Sequence, residues 1–243
     1  MNEHVFYEPS LKQDIPEILL NENESTHLLR VLRAKTGTAI MLMNGKGLMA
    51  PGIFSHTTKN QAFIEITEII EYPKAAKTIH LAICPLKKRD KLEWIIEKAT
   101  EIGVSEISFV NSYHSERSKL NMDRFQKIVI SSAKQSMNPY FPIINPIQNF
   151  QSFIDQYKEK PILKLLAWCG ADQNEYILNH AQRNRNNLIL IGPEGDFSAE
   201  EINYASGRNF VPVSLGNLRL RSETAALYAI SVLHAQSELK NEI

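Results

Sequence analysis

Two cysteines in 243 residues are too few for a disulfide framework, and Cys84 and Cys169 form no C-x-x-C pair. With no H-E-x-x-H either, neither a structural nor a catalytic metal is expected. No apolar run reaches the length of a membrane-spanning helix, and the opening MNEHVFYEPS has neither a basic nor an apolar leader segment. The expectation is a cytoplasmic protein with no membrane partner. Net charge is missing too, since 27 Lys and Arg balance 27 Asp and Glu. Nonspecific attraction to nucleic acid is therefore weak, and an RNA partner has to be held by local basic patches. What is present is ordinary globular composition, 43% hydrophobic and 22% charged.

The chemistry concentrates between Leu188 and Leu233, where one grammar occurs twice. A run of β-branched and leucine residues ends at Gly192-Pro193-Glu194-Gly195, and Ser198 then opens a helix with Glu201 three positions on, a capping box. The second copy runs from strand 211–215 through Gly216 to Arg221, with Ser222 as the cap of an apolar helix. Successive strand-loop-helix units imply a parallel sheet, whose loops gather at the carboxyl ends of the strands, where ligands bind. Neither loop is G-x-x-x-x-G-K-[ST] or G-x-G-x-x-G, so the backbone cradles for triphosphate and pyrophosphate are absent. A phosphate-free nucleoside fits better, because glycine admits close main-chain approach to a flat ligand and Pro193 stiffens the turn. Gly-Pro-x-Gly alone is an ordinary tight turn; Arg219, Arg221 and Glu223 crowding the start of the second helix add weight to a site.

Residues 1–72 read as a first domain. Strand 38–43, an Asn44-Gly45 hairpin turn and alternation over 61–69 predict a small β-barrel. A helix over 24–34 puts Leu28, Val31 and Leu32 on a core face and Arg30 and Arg33 on another, with Lys35 and Lys46 nearby, either a solvated face or a phosphate-contacting patch. Residues 71–77, EYPKAAK, read as the linker. Residues 73–243 form the second domain. Strand 79–84, a helix with Leu92, Ile95, Ile96, Ala99 and Ile102 on one stripe and Gly103 as its cap, and strand 106–110 make a crossover unit, which sets the class as α/β.

Lys87, Lys88 and Arg89 fall in a loop at the ligand edge, as do His114, Ser115 and Arg117 in NSYHSERS. His114 has the intrinsic pKa of a general base, although a lone loop histidine is more often a surface or hydrogen-bonding residue. The next helix, from Met122, has Phe125, Ile128, Val129 and Ala133 as its core stripe and leaves Lys134 and Gln135 near its end. Residues 138–160, interrupted by prolines, show no clear period. Strand 161–168 then stops at Cys169-Gly170, a third loop for the same edge.

IGPEGDFSAEEI followed by LGNLRLRSETAALYAI resembles the signature of the small-subunit (16S) ribosomal RNA uracil-N3 methyltransferases of the SPOUT superfamily. HLLRVLRAKTG and DKLEWIIEKATEIGVSEISFVNSYHSERS resemble the family's other blocks, so the similarity covers most of the chain. The resemblance implies a PUA-like β-barrel RNA-binding domain, a carboxyl-terminal parallel-sheet domain with a trefoil knot, a homodimer, S-adenosylmethionine as cofactor and 16S rRNA of the small ribosomal subunit as substrate. General topology rules disfavour knots outside such rare folds. Asp196 stands where the family most often has a second glycine, and Leu218 where it often has an arginine. Lys134 and Asn138 stand where acidic and basic residues are usual.

On this reading the cofactor lies among Leu166, Ala167 and Gly170, then Ile191, Gly192, Pro193 and Gly195, then Leu215, Gly216, Leu218, Leu220 and Thr224. The expected RNA contacts are Arg30, Arg33, Lys35, Lys87, Lys88, Arg89, Arg117, Lys134 and Gln135. A uracil N3 is nucleophilic once deprotonated, so the site needs a proton acceptor and charge stabilisation, not a thiolate from Cys169. Arg221 is the expected catalytic residue, a fixed charge for the imidate oxygens. Glu194 or Glu223 is the expected proton acceptor, with Glu223 read first as a helix-start carboxylate favoured by the dipole. A non-catalytic RNA-binding assembly factor, a SPOUT methyltransferase acting on another nucleotide, and a nucleotide-dependent oxidoreductase are the alternatives, the last disfavoured by the missing dinucleotide fingerprint.

Overall fold

The computed structural model describes residues 4–115, 119–182 and 185–238. The chain falls into two compact units, Met1–Lys74 with Ile130–Phe141, and Ala75–Val129 with Pro142–Ile243. This departs from the contiguous 1–72 and 73–243 split, because side chains tie the 130–141 segment to the first unit. Lys134 Nζ donates to both Glu24 carboxylate oxygens at 2.7 and 2.9 Å, and the Tyr140 hydroxyl donates to the Tyr72 carbonyl at 2.8 Å.

The first unit contains β1 (Val5–Tyr7), β2 (Glu17–Leu19), α1 (Glu22–Thr26), β3 (Ala39–Met43), β4 (Leu48–Thr58), β5 (Gln61–Ile66) and β6 (Ile70–Glu71). Its sheet runs β1-β3-β4-β5-β2, with β6 also on β4. Period-two burial puts Ile40 and Leu42 of β3 and Ala62 and Ile64 of β5 into a core with Phe6, Leu20, Leu28 and Phe54. The two ends of this path are joined by side chains: the Asn21 N–H donates to the Glu8 carboxylate at 2.8 Å and the Asn21 amide to the Tyr7 carbonyl at 2.9 Å.

Three local expectations change here. The β3–β4 connection is a four-residue loop, with the Asn44 side chain accepting from the Lys46 and Leu48 N–H groups. The two-residue turn instead joins β4 to β5, where Lys59 and Asn60 both have positive φ (51° and 64°), the geometry of a type I′ turn. The helix expected over 24–34 continues past α1 as a π-helical turn, His27–Val31, in which the Leu32 N–H reaches the His27 carbonyl at 3.0 Å. One extra residue per turn rotates the following side chains, so Leu28 stays buried while Val31, expected in the core, is 67% exposed.

The second unit alternates strand and helix: β7 (Ile79–Ile83), α2 (Arg89–Ile102), β8 (Glu106–Asn111), α3 (Met122–Ser136, shared with the first unit), β9 (Ile143–Asn149), α4 (Phe150–Tyr157), β10 (Leu163–Ala167), α5 (Ile177–His180), β11 (Asn187–Ile191), α6 (Ala199–Ser206), β12 (Val211–Val213) and α7 (Ser222–Glu238). Its six strands are ordered β12-β10-β11-β7-β8-β9, every pair parallel. β7, β10 and β11 are buried at every position, as strands of a sheet covered on both faces are, and each buries one polar residue, His80, Lys164 and Asn187, among its apolar ones. In α2, Leu92, Ile95, Ile96 and Ala99 are buried and Gly103 takes φ 89° as the left-handed cap; Thr100 replaces Ile102 in the core, its hydroxyl donating to the Ile96 carbonyl.

β9 and α4 lie in the stretch with no readable period. Pro146 is skipped in the pairing, since Ser108 faces Asn145 while Phe109 faces Ile147, so this edge strand carries its donorless residue in a bulge. α7 also begins one residue early: Ser222 is its first residue, and the Arg221 carbonyl accepts from the Ala225 N–H at 2.8 Å.

Candidate functional site

Because all six strands run the same way, the loops after β10, β11 and β12 share one edge, and they enclose a cleft of about 830 Å³, within the range of small-molecule sites. From the first loop it is lined by Ala167, Trp168, Cys169 and Gly170. The second contributes Ile191, Gly192, Pro193, Glu194 and Asp196, and the third Ser214 through Glu223, including Leu215, Gly216, Leu218, Leu220 and Arg221. Gly192 lies flat against Phe197, where a Cβ would sit 3.0 Å from the ring, and Gly216 has φ 114°, which an L side chain rarely adopts.

Three expected lining residues fall outside this surface. Leu166 is fully buried in the hydrophobic core while Ala167 meets the cleft, as strand alternation requires. Gly195 backs onto His114, with a Cβ position 3.1 Å from the histidine Cβ. Thr224 projects from α7 beside Ala225, and Ala225 is the one that lines the cleft.

The second loop is tied to its neighbours. Asp196 has φ 63°, the conformation a glycine would take freely, and uses its side chain as a clasp. Its carboxylate accepts from the Cys169 N–H at 3.2 Å and from the Phe197 N–H at 2.8 Å, and its carbonyl accepts from His114 Nδ1 at 3.0 Å. Glu194 accepts from the Lys87 N–H at 3.1 Å. The expected capping box is complete, Ser198 accepting from the Glu201 N–H and Glu201 from the Ser198 N–H. His114 is thus a hydrogen-bonding residue of this clasp.

The charges sort by environment. Burial, then the Asp196 carboxylate, pushes the Cys169 thiol up, so it is protonated at neutral pH; Cys84, fully buried, is pushed up to about 12. Burial pushes the Glu223 carboxyl up, but the Lys91 ammonium hydrogen-bonded to it and the helix-start N–H outweigh this and hold it below its usual range. Glu223 is therefore an ionised partner of Lys91. Sequence reading passed over Lys91 because, one turn into α2 after Lys87, Lys88 and Arg89, it looks like part of a solvated run.

Arg30, Arg33 and Lys35 are exposed in the first unit, and Lys87, Lys88 and Arg89 in the second, Arg89 bonding Glu93 at 3.0 Å. Gln135 is exposed. Lys134, expected to contact RNA, has its charge matched by Glu24, and Arg117 lies outside the described residues. Among the described residues no group of three or more His, Cys, Asp or Glu could hold a metal ion, and no helix is long and apolar enough to cross a membrane.

The chain matches two family models: an RNA methyltransferase domain over residues 73–234, which holds the cleft, and an RNA methyltransferase PUA domain over residues 20–67. Ribosomal RNA small subunit methyltransferase E 2 of Borreliella burgdorferi is 32% identical over 228 residues, 87% of this chain and 88% of the relative. A probable rRNA-methyltransferase from Porphyromonas gingivalis is similar in structure, with TM-score 0.86 and 34% identity over 96% of this chain and 98% of that one. The ribosomal RNA small subunit methyltransferase E of Neisseria gonorrhoeae, solved bound to S-adenosyl methionine, has TM-score 0.86 and 26% identity over 96% and 97%. The chain belongs to the ribosomal RNA small subunit methyltransferase E family of RNA methyltransferases.

Proposed function

We propose that this enzyme methylates N3 of a uridine in 16S ribosomal RNA, with S-adenosylmethionine as methyl donor. The observation that carries the reading is the convergence of three glycine-bearing loops on one cleft that also holds Arg221. The residues fit the cofactor: Gly216, at which a side chain would meet only open space, leaves its main chain open to a flat adenosine, while Ala167, Pro193, Leu215 and Leu220 give it apolar walls. When bound, S-adenosylmethionine supplies an electrophilic methyl group.

The chain's own groups do the rest. Arg221, with its permanent charge and forked donors, stabilises the negative charge that spreads onto the uracil oxygens as N3 loses its proton. Glu194 takes that proton in preference to Glu223, which is already committed to Lys91. Arg30, Arg33 and Lys35, with Lys87, Lys88, Arg89 and Gln135, face RNA phosphates and sugars, contacts that position without reading sequence.

The reading extends to a trefoil knot, a homodimer and a cytoplasmic location. For the knot, the support is that β11 fills the place between β10 and β7, while α7, after the edge strand β12, returns to pack on β7, β11 and α2. For the dimer, it is Leu218, 80% exposed at the cleft, the kind of side chain a partner covers; sedimentation as a monomer at micromolar concentration removes this part. The decisive experiment is mass spectrometry of 16S rRNA from cells with and without the gene, alongside tritium transfer from labelled S-adenosylmethionine to small subunits. One N3-methyluridine lost with the gene is expected; an unchanged modification pattern overturns the proposal.

A further inference from the structure

The β11–α6 loop has a second side. Gly192, Pro193, Glu194 and Asp196 line the cofactor cleft, and immediately beyond them Ser198, Glu200 and Glu201 line another cleft, of about 800 Å³, with Ser112, Tyr113 and Gln151 opposite. One loop is the wall of both. Tyr113 is 79% exposed, a large apolar ring left in water on a backbone that is firmly held. Its N–H donates to Glu201 at 2.8 Å, the Ser112 N–H donates to the Ser115 hydroxyl at 3.0 Å, and its ring meets His114 edge-on with centroids 5.0 Å apart. His114 in turn bonds the Asp196 carbonyl at 3.0 Å, so the ring's position is referenced to the cofactor loop.

The chemistry of this cleft differs from that of a phosphate site. Among the described residues no Lys or Arg lines it, and Glu200 and Glu201 repel anions. The Asn149 amide and the Ser112 and Ser198 hydroxyls already bond within the protein, and the Gln151 amide oxygen and Glu200 carboxylate carry the acceptors for N–H groups of a base edge. An exposed aromatic ring on a rigid support is the platform on which unpaired RNA bases stack, whatever their identity.

We propose that the second cleft is a base-binding subsite, in which Tyr113 stacks on an unpaired nucleotide next to the one presented at the cofactor cleft. This rests on the RNA methyltransfer reading above. Stacking grips the strand beside the target, so the residue acts on RNA affinity and leaves cofactor uptake alone.

The test is steady-state methyl transfer to small ribosomal subunits purified from cells lacking the gene, with cofactor binding measured separately by calorimetry. Tyr113→Ala is expected to raise KM for the subunits about tenfold, in the range of a lost base–aromatic stack, with kcat within about twofold and cofactor affinity unchanged. Tyr113→Phe should restore KM, since the ring and not the hydroxyl does the binding. Wild-type KM in Tyr113→Ala, or equal impairment in Tyr113→Phe, overturns the subsite while leaving the methyltransferase reading intact. Absence of transfer by the wild-type protein overturns both, and is told apart by that control.

Discussion

At the amino edge of the parallel sheet, His80 Nε2 lies 2.8 Å from the Ser108 hydroxyl, and Glu106 approaches the other ring nitrogen at 3.7 Å; at the carboxyl edge, Lys91, Ser214 and Glu223 line an open cleft. By residue type the amino edge is the better hydrolase. Its serine and histidine, however, are 2% and 5% exposed, and Asn145 occupies both Glu106 and Ser108 with its amide at 2.6 and 2.9 Å. Burial brings the His80 imidazole down to about 4 against a smaller opposing pull from Glu106, so the contact with Glu106 is no ion pair at neutral pH. Lys164 is spent in the same way, its ammonium held by the Tyr157, Lys158 and Lys160 carbonyls past the end of α4. Polar groups buried and satisfied hold structure together; the carboxyl edge differs because its polar groups, Arg221 among them, stand at an open cleft.

The contrast breaks most visibly at Arg221, which is exposed. Arg221→Ala should slow single-turnover methyl transfer by about a hundredfold or more while leaving the urea midpoint unchanged; a rate within a few-fold of wild type removes its catalytic role. The amino edge should respond to pH instead. The unfolded chain takes up a proton on His80 near 6.5 and the folded chain only near 4, so between these values unfolding is favoured by proton uptake. Stability should fall as pH drops through this window, by up to about 3 kcal/mol. Urea titrations of wild type and His80→Gln check this, the variant losing that part of the slope.

Smaller effects sharpen the comparison within the carboxyl edge. Asp196→Ala removes the hydrogen bond from the Cys169 N–H that joins two loops, and a second from the Phe197 N–H within its own loop, and should weaken S-adenosylmethionine binding about tenfold by calorimetry. Asp196→Gly, free of the positive-φ strain, should lose affinity but not stability. Ser198→Ala opens the capping box and should lower stability by about 1 kcal/mol with cofactor binding kept.

Much of this site was legible in one dimension. Gly192-Pro193 and Gly216 mark turns, Ser198 and Glu201 mark a helix start, and the mostly apolar runs in β7, β10 and β11, each broken by one polar residue (His80, Lys164 and Asn187), mark strands covered on both faces, because each signal acts over a few residues. β9 was not legible because Pro146 interrupts its alternation, and the bulge that accommodates it exists only against a paired β8; α4 buries Phe150, Phe153, Ile154 and Tyr157 at helical spacing, but its eight residues follow β9 directly and give too short a window to stand out. The π turn at His27–Val31 escaped because a helical wheel assumes a constant pitch, so Val31 was placed inside. Lys91 escaped because its partner Glu223 lies 132 residues away.

The sequence by itself determined the strand-loop-helix units, their glycine turns and the direction in which their loops point, since these follow from backbone stereochemistry and periodic burial. Only the tertiary structure decided that β10, β11 and β7 are neighbours, that Asp196 clasps Cys169 and His114, and that the Ser108, His80 and Glu106 array is sealed. Those outcomes depend on which distant segments pack together and on what they exclude from water, quantities that no local window contains.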